Sequence, residues 1–414
     1  MSMSREPPLN GAVVGRTRRS RADRLAVIVL GYIVRGPLGG LAWHHLQYVM
    51  GLAALGHEVY FLEDSEDYPS CYDPSRDGMG TDPGYGLAFA AHCFGRVGLG
   101  ECWAYHDAHA GSWHGPAAGR VLDACRRADL VLNLSGVNPL GPWCRDVPAR
   151  VLVDTDPVFT QVRHLQDPAA RERAGEHNVF VTFGENFGRP ACTTPDDGFP
   201  WRPTRQPVVL DAWPVTPGPA RGKFTSVLQW DSYRARVHDG RRYGMKSESF
   251  GPFWELPRLS GQAFELALGS EAAPREQLRA RGWGVRDPLE VTRDPWTYQE
   301  YLRQSRAEFG IAKHGYVTAR TGWFSERSAG YLASGRPVVV QDTGFTDWLP
   351  AGRGVLAFTT PEEALAAVEA VAADYEGHAR AARALAEQYL DARRVLTRLL
   401  DQALKPAPAA GEVR

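Results

Sequence analysis

Several polar residues that could do chemistry lie directly after predicted buried strands or in the first turns of a helix. Asp156 and Glu185 each follow such a strand, where a carboxylate could orient an acceptor hydroxyl or act as a general base. His44 and His45 lie in a predicted helix, and His45 is the candidate base because imidazole has an unperturbed pKa of about 6.5. A turn-forming or surface acid and a core or capping histidine are the structural alternatives.

A second group of polar residues lies between 319 and 345, where the order of residue types predicts one α/β unit. A polar loop leads to a short helix capped by Ser325, and Gly335 ends that helix. A buried strand then runs from Pro337 into a polar loop that begins at Asp342. A helix N-terminus at the carboxyl end of a parallel strand offers free N–H groups and a positive dipole, so the unit predicts a phosphate site.

These residues require elements to position them, and the chain alternates buried strands, helices and polar loops along most of its length. The segment 63–111 has no clean period, so we expect an irregular insertion there with a helix around 84–95. The predicted organisation is a flexible tail at 1–23, a Rossmann-like domain at 24–205, a proline-rich linker at 206–222, a second Rossmann-like domain at 223–380, a helix at 381–404 that crosses back to the first domain, and a flexible tail at 405–414.

Composition is typical of a globular protein with no overall attraction to polyanions. The chain has 414 residues, of which 43% are hydrophobic, and its 47 basic and 48 acidic residues give a formal net charge of -1. Nucleic acid is therefore not an expected partner. The longest apolar run, 25–30, is far shorter than the ~20 residues of a membrane span. The six cysteines show no C-x-x-C spacing, which favours reduced thiols and a cytoplasmic protein, and no metal or cofactor is expected.

Two sets of residues resemble the GT-B glycosyltransferases, particularly those of family 4. Pro37-Leu38-Gly39-Gly40, followed by Gly56-His57-Glu58-Val59, resembles their first βαβ unit, and Leu332-Ala333-Ser334-Gly335-Arg336-Pro337-Val338-Val339 with Asp342-Thr343-Gly344 resembles their donor-domain signature. The resemblance implies an α/β GT-B fold, in which two Rossmann-like domains face each other across a cleft. It also implies a sugar transferase in which the C-terminal domain holds a nucleotide diphosphate sugar and the N-terminal domain holds a small-molecule acceptor.

The resemblance also suggests which residues bind the donor. Backbone next to a glycine can approach a diphosphate closely, loop amides and hydroxyls can bind its oxygens, and basic side chains can neutralise the leaving group. The donor-site candidates are Gly39, Gly40, Lys246, Lys313, His314, Arg320, Gly322, Trp323, Phe324, Ser325, Arg327, Asp342, Thr343 and Gly344. Turns, helix caps, surface charges and aromatic core are their structural alternatives. If transfer is retaining, as in the resembled family, the leaving phosphate can take the acceptor proton and no protein base is needed.

One departure from the family pattern affects the donor site. Gly322 and Gly330 stand where family 4 has two glutamates eight residues apart. Three alternatives therefore stay open: a sugar-nucleotide epimerase of the same fold, a catalytically silent sugar-binding protein, and an NAD(P)-dependent Rossmann oxidoreductase. In the oxidoreductase, Glu63 would hold a ribose, although the loop 31–40 contains no G-x-G-x-x-G motif. The sequence leaves the nucleotide, the acceptor and the oligomeric state open.

Overall fold

The computed structural model describes residues 24–404 apart from 77 and 220, and the tails predicted at 1–23 and 405–414 lie outside the described residues. The described chain forms two large, mainly parallel sheets, one from each half, with helices packed against them. The predicted α/β fold class is confirmed. Among the described residues, no helix combines the length and the apolar character that a membrane span needs.

The first half forms an eight-stranded sheet whose central strands are buried along nearly their whole length. Its strands, with one separate hairpin of β3 and β4, are β1 (Ala26–Leu30), β2 (Glu58–Asp64), β3 (Cys71–Asp73), β4 (Gly78–Gly80), β5 (Trp103–Asp107), β6 (Ser112–His114), β7 (Leu130–Leu134), β8 (Ala149–Asp154), β9 (Val179–Thr182) and β10 (Arg202–Pro203). The sheet order is β10-β9-β8-β7-β1-β2-β5-β6, and only β5 and β6 pair antiparallel. Val27 lies opposite Val59 of β2 and Leu130 of β7, so the strand order reverses beside β1 and opens a crevice there.

The helices of the first half return the chain between these parallel strands. They are α1 (Gly39–Ala54), α2 (Gly84–Arg96), α3 (Val121–Arg127), α4 (Phe159–Gln166) and α5 (Pro168–Gly175). The helix expected around 84–95 is confirmed as α2. The expectation that the rest of 63–111 is irregular is wrong in part, because β5 extends the main sheet and pairs parallel with β2.

The second half forms a six-stranded sheet in which every neighbouring pair is parallel. Its strands, with a separate hairpin of β12 and β13, are β11 (Phe224–Gln229), β12 (Arg236–His238), β13 (Arg241–Tyr243), β14 (Phe264–Gly269), β15 (Trp283–Arg286), β16 (Ala307–Gly310), β17 (Val338–Gln341) and β18 (Val355–Phe358). The order is β15-β14-β11-β16-β17-β18, which reverses between β11 and β16. The carboxyl ends of these two strands therefore form the second crevice.

The helices of the second half include two consecutive helices, the last two, where the sequence predicts a single helix at 381–404. They are α6 (Lys246–Phe250), α7 (Leu256–Ser260), α8 (Arg275–Ala280), α9 (Leu289–Thr292), α10 (Pro295–Gln304), α11 (His314–Ala319), α12 (Glu326–Ala333), α13 (Pro361–Ala373), α14 (Tyr375–Tyr389) and α15 (Ala392–Leu404). Asp374 caps α14, and the chain leaves the helix at residues 390–391, where Asp391 bridges Val208. The last helix, α15, packs on α1 and β8 of the first half.

The two halves touch closely where α1 meets α10. A Cβ atom at Gly39 would lie 2.2 Å from the backbone oxygen of Asp294, the residue that caps α10, so only glycine fits there. Trp43 donates from Nε1 to the carbonyl of Pro295 at 2.6 Å. This contact places the start of α1 at the edge of the cleft between the sheets.

Candidate active site between the two sheets

A cavity of about 870 Å³ lies between the halves, at the carboxyl ends of β11, β14 and β15. One side belongs to the first half and the linker, and its side chains include Leu38, Leu41, His44, Tyr72, Gln206 and Trp213. We call this side the uncharged wall. The opposite side, the charged wall, belongs to the second half and includes Glu271, Arg275, Arg286, Asp287, Glu326 and Arg327. A concave site of this size between two domains is large enough for a drug-sized ligand.

The N-terminus of α12 points its first turn at this cavity. Ser325 caps the helix by accepting the backbone N–H of Arg327 at 3.1 Å, which confirms the predicted cap. Glu326, the first helical residue, lines the cavity and is exposed. Because the first N–H groups of a helix lack partners within it, this end of the cavity favours an anion.

Lys246, the first residue of α6, does not itself line the cavity. Among the described residues its ammonium has no hydrogen bond or ion pair, although its charge interacts with those of Arg327 and Glu326, which line the cavity. Burial, reinforced by the positive charges of Arg327 and Lys313, lowers the pKa of Lys246 to about 7. An ammonium in such surroundings gains most from an anionic ligand.

Arg327 lines the cavity but already has a protein partner. Its Nε donates to Oε1 of Glu308 at 2.6 Å and its Nη1 donates to the carbonyl of Val227 at 2.9 Å. The Glu308 side chain is fully buried. Burial alone would lower the pKa of Arg327, but the Glu308 carboxylate outweighs it and raises that pKa. The positive charge of Arg327 is therefore largely neutralised before any ligand binds.

Asp156, a predicted catalytic residue, joins the two halves. Its carboxylate accepts hydrogen bonds from Nζ of Lys313 at 2.8 Å and from the hydroxyls of Tyr233 and Tyr316, all of which belong to the second half. Burial raises its pKa, but the Lys313 ammonium and these hydroxyls outweigh that effect and hold the pKa of Asp156 below its usual value. Such a carboxylate is a weak base. The predicted donor residue Lys313 is occupied by the same contact.

Asp156→Asn is therefore expected to weaken the contact between the halves and lower the free energy of unfolding by about 1–2 kcal/mol. The estimate is moderate because the Asp156 side chain is 30% exposed. Urea titration measures the effect, with exposed Asp146→Asn as the surface control. A variant with unchanged stability but lost turnover would instead support the predicted role of Asp156 as a base.

Of the two neighbouring histidines, His44 lines the cavity and His45, the predicted base, does not. The His45 ring is fully buried; its Nε2 accepts the backbone N–H of Tyr32 at 3.2 Å and its Nδ1 donates to the carbonyl of Leu41 at 2.8 Å. With both nitrogens bound to backbone, the ring fixes the loop after β1 and has no lone pair for a substrate proton. His44, 7% exposed, lines the cavity, and neither of its ring nitrogens has a hydrogen bond.

Glu185, the third predicted catalytic residue, lies in a structural ion pair away from the cavity. Its carboxylate, 6% exposed, accepts a hydrogen bond from Nε of Arg205. The Arg205 guanidinium lies 4.2 Å from the centre of the Trp348 ring in the second half. The geometry assigns Glu185 to the contact between the halves rather than to catalysis.

Three predicted donor residues, Arg320, Gly322 and Gly344, lie around one asparagine instead of lining the cavity. Asn186 donates from Nδ2 to the carbonyls of Arg320 and Gly344 and to Asp347. A Cβ at Gly322, whose φ is +77°, or at Gly344 would collide with the Asn186 side chain. The side chains of the same two loops also make local or surface contacts. Arg320 pairs with Asp347, Asp342 accepts the backbone N–H of Gly344, and Thr343 donates to the carbonyl of Trp323.

Three further predicted donor residues also make internal contacts. Trp323 stacks on Tyr316 and donates from Nε1 to the carbonyl of Thr155 at 3.2 Å, while Phe324 is buried against other aromatic rings. His314 accepts the backbone N–H of Gly244 at 3.3 Å. Of the two predicted glycines in the first half, Gly39 packs on Asp294 and Gly40 lines the cavity beside Tyr298.

Glu63, which a dinucleotide enzyme would use to hold a ribose, is 1% exposed and already satisfied. Its carboxylate accepts the backbone N–H groups of Ile33, Val34 and Arg35 at 2.7, 2.8 and 2.7 Å. These amides belong to the loop after β1, where a Rossmann dinucleotide enzyme binds pyrophosphate. A carboxylate bound there excludes a phosphate, so the structure argues against the oxidoreductase.

Sequence reasoning missed Gln206 and Trp213 because they lie in the predicted linker. Gln206 is 5% exposed and donates from Nε2 to the carbonyls of His44 and Pro207. Trp213 packs at a ring distance of 5.0 Å from Trp43. The only sequence signal was the presence of large apolar and amide side chains in a segment otherwise dominated by prolines. Among the described residues, no group of three or more potential ligands is placed to hold a metal ion.

Solved structures resemble this architecture, although two comparisons at the sequence level find no match. A scan against protein-family models finds no match, and neither does a search of curated proteins. Among solved structures, an alpha-glucosyltransferase in complex with UDP and a 13-mer DNA containing a central A:G mismatch aligns with a TM-score of 0.54 at 10% identity, covering 92% of this chain and 99% of that chain. An alpha-glucosyltransferase in complex with UDP-glucose and DNA containing an abasic site gives 0.53 at 9% identity, covering 92% and 98%.

These similarities, together with two mainly parallel sheets and a cavity between the two halves, define the fold as GT-B. AviGT4, a glycosyltransferase involved in Avilamycin A biosynthesis, aligns over 92% of this chain and 97% of that chain at 15% identity, but its TM-score of 0.48 is too low to carry an argument. At such identities the likeness establishes the fold alone, so membership of family 4 stays a prediction.

Proposed function

We propose that this chain is a glycosyltransferase that moves a sugar from a nucleotide diphosphate sugar to the hydroxyl group of a small-molecule acceptor, with retention of configuration. The observation that carries the proposal is the N-terminus of α12 at one end of the interdomain cavity, together with the unpaired Lys246, whose charge interacts with those of Arg327 and Glu326 there. Both favour an anion, and a diphosphate is the anion that such a transferase must hold. A cytoplasmic location and independence of metal remain predictions.

In the proposed reaction the acceptor oxygen forms a bond to the anomeric carbon as the bond from that carbon to the phosphate oxygen breaks. The nucleoside diphosphate leaves with the bonding electrons, and its phosphate oxygen takes the acceptor proton. Helix N–H groups and Lys246 stabilise the developing negative charge. This route requires no protein base, which agrees with the occupied states of Asp156 and His45.

Thermal unfolding with UDP tests the proposal, because the aligned alpha-glucosyltransferases were solved with UDP or UDP-glucose. UDP is expected to raise the melting temperature, since a ligand at 100 times its dissociation constant stabilises the native state by about 2.7 kcal/mol. Lys246→Ala is expected to weaken the shift. Lys223→Ala is the matched control, because Lys223 is half-exposed and pairs with Glu265 outside the cavity.

Two results would contradict the proposal. One is stabilisation by NAD without stabilisation by any nucleoside diphosphate, which would favour the oxidoreductase. The other is conversion of the sugar nucleotide to its epimer without any acceptor, which would favour the epimerase. Transfer of label from the sugar to an added acceptor, with release of UDP, is the expected product pattern.

A further inference from the structure

The two sides of the cavity differ in chemistry. The charged wall carries acidic and basic side chains, whereas the uncharged wall, among the described residues that line it, has no Asp, Glu, Lys or Arg. Burial lowers the pKa of His44 more than the Glu326 carboxylate and the nearby Gln206 side chain, which lies outside hydrogen-bonding geometry, raise it, so the neutral ring is favoured. A ligand group that lies against the uncharged wall therefore meets no formal charge.

The inner end of the uncharged wall holds unsatisfied polar atoms. Both ring nitrogens of His44, Oε1 of Gln206 and Nε1 of Trp213 are buried without a hydrogen-bond partner, and the three residues are 7%, 5% and 2% exposed. A buried polar atom without a partner costs about 1–3 kcal/mol, so native structures rarely keep several in one place without a ligand or water. His44 and Gln206 adjoin, since Gln206 Nε2 donates to the His44 carbonyl, and their unpaired atoms supply a ring donor and acceptors, which matches a hydroxyl group.

The outer part of the uncharged wall is apolar. Leu38 and Leu41 precede His44 at intervals of three residues at the start of α1, so the three side chains lie roughly on one face of the helix. Both leucines are only partly buried, and Tyr72 of the β3–β4 hairpin lines the same cavity. This surface offers burial to an apolar molecular body of about the same length as two helical turns.

We infer that the acceptor is a neutral hydroxyl compound with an apolar body, and that it binds the uncharged wall with its hydroxyl toward His44 and Gln206. The inference rests on the proposed function and names its acceptor class. A nucleic acid or a carboxylate would place negative charge against apolar side chains, close to the donor diphosphate, with no cation on its own wall to offset the repulsion. The DNA in the aligned alpha-glucosyltransferase structures is therefore not expected to be matched here.

Binding is tested with 4-phenylphenol, its charged analogue 4′-hydroxybiphenyl-4-carboxylate, and a 13-mer DNA containing an HMU base. Each probe is titrated into the full-length protein with and without saturating UDP, and melting temperature and calorimetric affinity are recorded. The neutral phenol is expected to bind, with the carboxylate at least tenfold weaker and the DNA undetectable. Equal or tighter binding of the carboxylate or the DNA, or no binding of the phenol, would overturn the inference.

Two variants locate the site. Leu41→Asp is expected to weaken binding of the phenol by about tenfold or more without changing UDP affinity, and His44→Phe is expected to weaken it by about tenfold through the lost hydrogen bond. The control is Leu122→Asp, the same change at a leucine that is 44% exposed in the first turn of α3. Equal effects of the two leucine variants would place the phenol elsewhere. Failure of UDP to bind would contradict the proposed function. The titrations without UDP would still measure binding of the phenol to the uncharged wall.

Discussion

Arg327→Ala is expected to lower the free energy of unfolding by about 3–5 kcal/mol, the usual effect of removing one partner of a buried ion pair. The Glu308 side chain would stay fully buried with its charge unpaired, and its Oε2 already lacks a hydrogen bond. The carboxylate would then be driven to protonate, so the loss should grow as the pH rises. Urea or thermal titration at pH 6 and pH 8 measures both effects.

The controls separate a lost ion pair from a lost phosphate ligand. Arg242→Ala removes an exposed pair with Glu248 and is expected to change the free energy of unfolding little. A double variant, Arg327→Met with Glu308→Leu, should recover much of the stability, because apolar side chains can replace a buried pair. If Arg327→Ala were as stable as the wild type and bound UDP weakly, Arg327 would be a phosphate ligand instead.

Sequence patterns predicted most of the fold because strands buried on both faces give continuous apolar runs. The apolar run 25–30 contains β1, a central strand of the first sheet. β5 was missed because Trp103–Asp107 contains no β-branched residue and lies beside turn-forming segments. The break between α14 and α15 was missed because residues 390–391 carry no glycine or proline, and tertiary pairing of Asp391 with Val208 ends the helix there.

The site was predicted less well because side chains that are adjacent in sequence can face different surroundings. His44 and His45 are about 100° apart around α1, and sequence alone does not say which of them faces the cavity. Glu185 resembled a catalytic acid because its partner Arg205 lies twenty residues further along the chain. Long-range partners of this kind have no local signal.

The two glycines at the family's glutamate positions have a physical explanation. A Cβ at Gly322 would approach Asn186 within 2.7 Å, and one at Gly330 would lie 3.1 Å from the Trp213 ring. A glutamate at either position would have to displace the contacts that join the two halves. The departure from the family pattern is therefore built into the packing, and the donor's ribose must find other partners than these two side chains.

The affinity for UDP is expected to fall about tenfold for each pH unit above pH 7, because only the protonated Lys246 can pair with the diphosphate. The pKa of Lys246 is about 7 in the ligand-free protein, and the terminal phosphate of UDP, with a pKa near 6, is already mostly ionised at pH 7. Binding at pH 8 should therefore take up a proton. Calorimetry in two buffers of different ionisation enthalpy measures both the affinity and the proton uptake.

Stability without ligand should follow the opposite trend, which gives an independent check on the same group. The folded pKa of about 7 lies below the unfolded value of about 10.4, so the unfolded chain binds one more proton between these limits and the Lys246 contribution to stability rises with pH. Lys246→Arg keeps its charge and should bind UDP with little pH dependence, while Lys246→Ala should bind weakly at every pH. A wild-type affinity that is flat from pH 7 to pH 9, or a slope that persists in Lys246→Ala, would assign the proton to another group and remove Lys246 from the donor site.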